Sequence, residues 1–226
     1  MPIDPNAQTV VTALRNVPDF AHGVVRDMRI RWALEEIGRP YRTELFDAMA
    51  PRPDDYRRWQ PFGQVPAFDD GKVRLFESGA ILLYLGEQDE RLLPLDPRAR
   101  WDATAWLIGA LNSVEPGLMQ IVSLDIFNAG KPWVKDARPS TVDFAKSRLG
   151  RVAEALGDQE WLTGHFTAAD IMMVTVLRNL RHTDIVAEFP TLAAYQARGE
   201  ARPAFQRALI DQKADLGEPA KLGEAA

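Results

Sequence analysis

The chain has 226 residues, 46% of them hydrophobic, with 27 Lys and Arg against 32 Asp and Glu for a net charge of -5. That is enough chain to bury the core of one large or two small domains, and the acidic balance offers no general basic footprint for nucleic acid or an anionic membrane. The absence of cysteine removes disulfides, thiolate zinc sites and any cysteine nucleophile.

The opening Met1-Pro2-Ile3-Asp4-Pro5-Asn6 lacks the basic start and apolar core of a signal peptide. No run approaches the roughly 18 apolar residues of a spanning helix, so a cytoplasmic location is expected. Residues 9–14 alternate as a first strand, and residues 24–37 carry Met28, Trp32 and Leu34 at helical spacing until Gly38-Arg39-Pro40 stops the helix. Residues 41–46 read as a second strand. Residues 47–60, with Pro51 and Pro53, read as a loop holding a short helical piece around Tyr56 and Trp59. Gln64-Val65-Pro66-Ala67-Phe68 is an X-Pro turn entering a third strand, with a cis Val65-Pro66 bond expected. Asp69-Asp70-Gly71 reads as turn chemistry rather than a cation site, and residues 73–76 form a fourth strand. Ser78 is then placed to N-cap a helix whose apolar face is Ile81, Leu82 and Leu85. A hydroxyl at a helix N-terminus makes a ready anion site.

Long helical stretches follow. Residues 92–97, with Pro94 and Pro97, read as a linker. Residues 98–124 carry a stripe of Trp101, Ala105, Ile108, Leu111 and Leu118, bent or broken at Pro116-Gly117. A further helix spans 140–156 and ends at Gly157. Thr167-Ala168-Ala169-Asp170 has the form of a capping box and is expected only to start a helix. The tail beyond Lys213 is polar and rich in Gly and Ala. The expected class is α/β plus all-α: a β-α-β-α-β-β-α domain over 8–87, an all-helical domain over 95–213 and a flexible tail over 214–226. The three histidines, His22, His165 and His182, are too scattered for a metal centre, and none is expected.

Residues 60–85, with Gln-Pro-Phe-Gly-Gln-Val-Pro-Ala-Phe, then Asp-Asp-Gly, then Leu-Phe-Glu-Ser-Gly-Ala-Ile, resemble the glutathione-binding segment of the cytosolic glutathione transferase superfamily. Arg29 to Tyr41 is similar to the first helix and second strand of bacterial members, and the capping box at Thr167 has a counterpart in their second domain. The resemblance implies a thioredoxin-like first domain with a mixed four-stranded sheet, glutathione as cosubstrate, a small hydrophobic electrophile and a homodimer. It implies that Val65, before Pro66, pairs its backbone with the cysteinyl part, that Glu77 and Ser78 hold the γ-glutamyl end, and that Gln64 reaches the peptide backbone. Ser78 suits the γ-glutamyl carboxylate and Glu77 the α-ammonium.

Most of the family places a Tyr, Ser or Cys after the first strand to favour the glutathione thiolate. Residues 16–26 contain none of the three. Two readings stay open. Either His22, or the Gly23 and Val24 amides with Arg26 one turn on, stabilises the thiolate; or the site holds glutathione without strong activation, as a non-catalytic binding or regulatory protein. The resemblance places the electrophile between the domains; by their spacing Trp106, Asn112, Glu115 and Met119 are the candidates to meet it, and Arg52 or Arg57, in the loop after the second strand, is a candidate for the glycyl carboxylate. Phe62 and the exposed side of the Ser78 helix are candidate dimer contacts. Without cysteine, subtypes that use a protein thiol are not expected.

Overall fold

The run Val10-Val11-Thr12-Ala13 is buried on both faces, which places strand β1 (Val10–Arg15) inside a sheet rather than at its edge. A computed structural model describes residues 2–216, and the chain divides into two units, one formed by the residues up to Asp89 together with those from Arg202 onward, the other by Glu90–Ala201. In the first unit β1 pairs in parallel with β2 (Arg42–Asp47) and antiparallel with β3 (Ala67–Asp69), which pairs antiparallel with β4 (Arg74–Phe76). The order β2-β1-β3-β4 is the mixed, four-stranded, thioredoxin-like sheet expected. A parallel pair needs a crossover, supplied by α1 (Asp27–Ile37); α2 (Asp54–Trp59) precedes β3, and α3 (Ser78–Gly86) follows β4.

Helix α1 starts three residues later than periodicity suggests. Residues 19–21 form a 3-10 turn, Gly23 takes φ 76, a conformation that an L side chain rarely adopts, and Val24 N bonds back to Ala21 O, so residues 22–26 remain in turns and regular helix begins at Asp27. At the other end Gly38 (φ 65) closes the helix as expected, donating to Glu35 O while Arg39 N reaches Leu34 O. Nine of the eleven α1 residues are buried, four of them charged: Asp27, Arg29, Arg31 and Glu35. The last helix, α9 (Pro203–Leu216), packs on α1 and matches three of these charges. Arg207 Nε lies 2.5 Å from Glu35, Arg31 Nη2 lies 2.7 Å from Asp215, and Gln212 Nε2 donates to Asp27. Trp32 meets Phe205 edge-on at 4.9 Å between ring centroids. The helix that the sequence assigns to the all-helical domain therefore packs with the sheet unit, because its polar residues are the partners α1 lacks. It also runs to Leu216, past the start of the tail at 214; residues 217–226 of that tail lie outside the described residues.

The Asp69-Asp70-Gly71 turn is tied to both flanking helices through Asp70. Its carboxylate accepts from the amides of Lys72 and Val73, from Arg39 Nη2 at 2.8 Å beyond α1, and from the Tyr84 hydroxyl at 2.9 Å on α3. Burial opposes its ionisation, but these donors together hold its pKa at about 2, below the ordinary 3.8.

The second unit is helical. Leu92 and Leu93 are buried, and Leu92 O accepts from Ala168 N, so these two residues belong to this core and are not part of a free linker, while Leu95 is exposed. Asp96 caps α4 (Pro97–Gly109), accepting from Ala99 N. Wide turns at 110–114 and 123–127 join α4 to α5 (Glu115–Val122) and extend it to Phe127. The first of these absorbs the backbone donor missing at Pro116, so the helix is locally rewound and not broken. The resulting Pro97–Phe127 helix is long and apolar enough by composition to cross a membrane; half of its apolar window is buried inside the protein, as in a core helix. Helix α6 (Val134–Leu156) begins before Pro139, six residues earlier than expected, because its first turn is closed on Trp133 O by Asp136 N and Ala137 N. At its centre α7 (Ala168–Leu177) is buried along its whole length, and α8 (Pro190–Glu200) completes the unit. The capping box is present: Thr167 Oγ1 accepts from Ala169 N, and Asp170 accepts from Thr167 N, Leu162 N and the Tyr195 hydroxyl.

Because the Asp70 carboxyl titrates lower in the folded protein than when unfolded, its contribution is complete above the ordinary carboxylate range and is lost as pH falls from about 4 toward 2. Asp70→Asn is expected to lower unfolding stability by about 2 kcal/mol at pH 7 and by much less near pH 2, measured by urea denaturation. An equal loss at both pH values would show that the charge is not what stabilises the turn.

Candidate functional site

Register brings the two halves of the candidate anion site together. Ala67 pairs with Phe76 across β3 and β4, so Val65-Pro66 and Glu77-Ser78 continue side by side beyond the same end of the ladder. The Val65-Pro66 bond is cis, as expected. Among the described residues nothing hydrogen-bonds the Val65 N–H or C=O, although its side chain is buried. A buried strand end with an unused donor and acceptor can add one more extended peptide.

A relay of hydroxyls holds this turn. Ala67 N donates to Thr12 Oγ1 (2.7 Å), and the Tyr56 hydroxyl donates to Gln64 O (2.5 Å), so the 2.9 Å contact between the two hydroxyls must run from Thr12 to Tyr56. Burial pushes the Tyr56 phenol up, and its proton is committed to a carbonyl; Tyr56 is a strut and not an acid or base. Gln64 itself is exposed, with its amide N–H on Gln60 Oε1.

On the other half, Ser78 is the first residue of α3 and Glu77 occupies the cap position, which revises the expectation that Ser78 is the N-cap. Glu77 is the reason: it takes φ 68 and ψ 115, turning the chain so that its own side chain is exposed while Ser78 is buried. Arg29, 2% exposed on α1, donates from Nη1 to Ser78 Oγ at 3.0 Å. A buried guanidinium behind a serine hydroxyl at a helix N-terminus favours a carboxylate. Sequence reading missed Arg29 as a site residue; the available signal was a charge flanked by Met28 and Ile30 on an otherwise buried helix.

The loop between β1 and α1 is built differently from its sequence reading. Val24 N is bonded to Ala21 O, three residues ahead of the helix, so the Gly23 and Val24 amides do not form the α1 N-terminus. His22 Nε2 lies 3.3 Å from Val17 O; a carbonyl only accepts, so that nitrogen carries the proton and the ring closes its own loop. The Asp19 carboxylate lies 4.0 Å from the same nitrogen. Arg26, half-buried, is the residue immediately before α1. Arg52 donates to Asp47 O and Ala50 O and lies over the Phe46 ring, an arrangement that closes the α2 loop; Arg57 is exposed. Phe62, 69% exposed, meets Phe76 edge-on.

The four candidate electrophile contacts are not gathered at one place in the second unit. Trp106 lines a cavity of about 320 Å³ with Ala105, Gly109, Ser113, Arg148 and Val152, to which Asn112, Glu115 and Met119 do not contribute. Asn112 is exposed, Met119 half-buried and Glu115 buried. The described residues contain no group of three or more acidic or histidine side chains able to hold a metal ion.

Comparison with known proteins matches residues 20–87 to the family described as glutathione S-transferase, N-terminal domain, and residues 126–209 to glutathione S-transferase, C-terminal domain. The chain is 30% identical over 210 residues to the disulfide-bond oxidoreductase YfcG of Escherichia coli, covering 84% of this chain and 92% of that one. It is 29% identical over 165 residues to glutathione S-transferase F14 of Arabidopsis thaliana, covering 66% of this chain and 64% of the relative. Among solved structures, a glutathione transferase from Burkholderia graminis with two glutathione molecules bound per subunit superimposes with a TM-score of 0.77 at 29% identity, over 91% of this chain and 88% of that one. One from Pseudomonas putida with glutathione disulfide bound gives 0.77 at 25% identity, over 92% and 93%.

Tyr56→Phe removes the donor to Gln64 O and the acceptor of Thr12, and is expected to cost about 1–3 kcal/mol of stability, read by chemical denaturation. A neutral substitution would mean that the relay does not hold the Val65-Pro66 turn.

Proposed function

We propose that this chain, which belongs to the glutathione S-transferase family, binds glutathione along Val65 and Glu77-Ser78 and promotes its reaction with a small apolar electrophile. The observation that carries the reading is the buried Arg29 guanidinium 3.0 Å from Ser78 Oγ, next to a strand end whose backbone donor and acceptor are unused. Since Ser78 Oγ accepts from Arg29, its own hydrogen is available to the γ-glutamyl carboxylate. Exposed Glu77 receives the α-ammonium, and the Val65 N–H and C=O pair with the cysteinyl backbone. Gln64 contributes at the rim. Held this way, the cysteinyl sulfur faces the β1–α1 loop.

Glutathione supplies the sulfur nucleophile, and this chain's part is to make the thiolate form favourable. Of the two candidates, Arg26 at the start of α1 serves better than His22, whose Nε2 proton is directed to Val17 O. The reaction class includes isomerisation, peroxide reduction and disulfide exchange. A relative named as a disulfide-bond oxidoreductase and a neighbour with bound glutathione disulfide support the last of these. With no cysteine in the chain, any such exchange runs through glutathione sulfur alone. A cytoplasmic homodimer using Phe62, and an electrophile contact at Trp106, belong to the same reading.

A second reading, binding without catalysis, is favoured by one feature: residues 16–26 hold no Tyr, Ser or Cys. Titration of glutathione followed by thiolate absorbance separates the two. The proposal expects a bound thiol pKa lowered by about two units, and about tenfold weaker binding in Ser78→Ala. Tight binding with an unshifted thiol supports the binding protein, and unchanged affinity in Ser78→Ala refutes the anion site.

A further inference from the structure

We propose that α9 is a positioning strap for the β1–α1 loop, holding the loop at both ends from the far side of α1, with Gln212 as its principal positioning residue. The inference rests on the reading that this loop faces the glutathione sulfur.

The loop leaves β1 at Asn16, which takes φ 56, and enters α1 after Arg26. At the first end Asn16 N donates to Leu216 O at 2.8 Å while its side-chain amide donates to Asp47 at 2.7 Å. At the second end Gln212, fully buried, donates from Nε2 to Val25 O at 3.2 Å and to Asp27 Oδ1 at 2.8 Å. A backbone carbonyl can only accept, so the Val25 O contact fixes the amide orientation, and Gln212 Oε1 is left buried without a partner. An unsatisfied buried carbonyl is tolerated here because the same amide satisfies two acceptors at the turn where the loop becomes helix. The other Asp27 oxygen accepts from Arg31 Nε, and Arg31 Nη2 reaches Asp215, both at 2.7 Å. One turn of α9 thus fixes the residues on either side of Arg26.

A second contact ties the residue just before α9 to the opposite end of α1. Arg202 grips Glu36, near the C-terminus of α1, with two bonds of 2.6 and 2.9 Å. If α9 served only stability, weakening either end would have the same consequence. If it positions the loop, the two ends differ, because thiol activation depends on where the start of α1 is held.

The test uses the full-length protein with Gln212→Leu, the milder Gln212→Asn in case the first fails to fold, and Arg202→Met. Amide hydrogen exchange over residues 16–26 is expected to accelerate about tenfold or more in the Gln212 variants and to stay unchanged in Arg202→Met, even though both types lose thermal stability. The bound glutathione thiol pKa should rise by about one unit, roughly a threefold fall in thiolate at neutral pH from a starting value about two units below the ordinary one, in the Gln212 variants only. Affinity for S-methylglutathione, which has no thiol to ionise, should stay within about twofold throughout. Unchanged exchange in folded Gln212 variants, or equal thiol shifts in Arg202→Met, would overturn the strap. An unshifted thiol in the unaltered protein would refute the catalytic reading instead, and the exchange data would still decide whether α9 orders the loop.

Discussion

Helix α1 buries four charged side chains, and a buried charge without a partner costs several kcal/mol. Meeting that requirement organises the first unit. Arg29 is matched across α3 by Ser78, which fixes the candidate anion site; Asp27 and Arg31 are matched by Gln212 and Asp215 on α9; Glu35, whose carboxyl burial pushes up, is held by Arg207. Helix α9 sits on the sheet unit because its polar face completes these pairs, with Trp32 against Phe205 as the apolar seam.

The same requirement links fold to chemistry. A guanidinium that must be buried anyway stands behind the serine hydroxyl proposed to hold a carboxylate, so the group that closes the core also polarises the site. The hydroxyl relay from Ala67 N through Thr12 and Tyr56 to Gln64 O does the equivalent for the neighbouring turn: it satisfies buried polar groups while, among the described residues, the Val65 N–H and C=O stay unused.

Much of this was legible in the sequence because it depends on local chemistry. Alternation, Gly38-Arg39-Pro40 and the Asp69-Asp70-Gly71 turn report the order of the sheet unit, and Val65-Pro66 with Glu77-Ser78 reports the motif. What escaped depends on long-range pairing. Arg29 reads as one more helical arginine until α3 is folded against it. The position of α9 rests on partners 166 to 187 residues away, such as Arg202 with Glu36 and Gln212 with Val25, which no local pattern encodes. The α1 start was misread because Val24 and Val25 fit a helical stripe, while Val24 N is bonded back to Ala21 O in the turns that precede the helix. Helix α6 starts before residue 140 because its first turn is closed on Trp133 O by Asp136 N and Ala137 N, and Pro139 lies inside it. Of the four electrophile candidates Trp106 alone lines the cavity of the second unit, because the wide turn at 110–114 shifts the helical register between Trp106 and the later Glu115 and Met119.

The central claim is that this chain grips a peptide carboxylate at Ser78 and a peptide backbone at Val65. A crystal structure of the protein with glutathione tests it most directly. The account predicts the γ-glutamyl carboxylate within hydrogen-bond distance of Ser78 Oγ, the α-ammonium at Glu77 and the cysteinyl backbone paired with Val65. Glutathione bound elsewhere, with Ser78 and Val65 left uncovered, would contradict it.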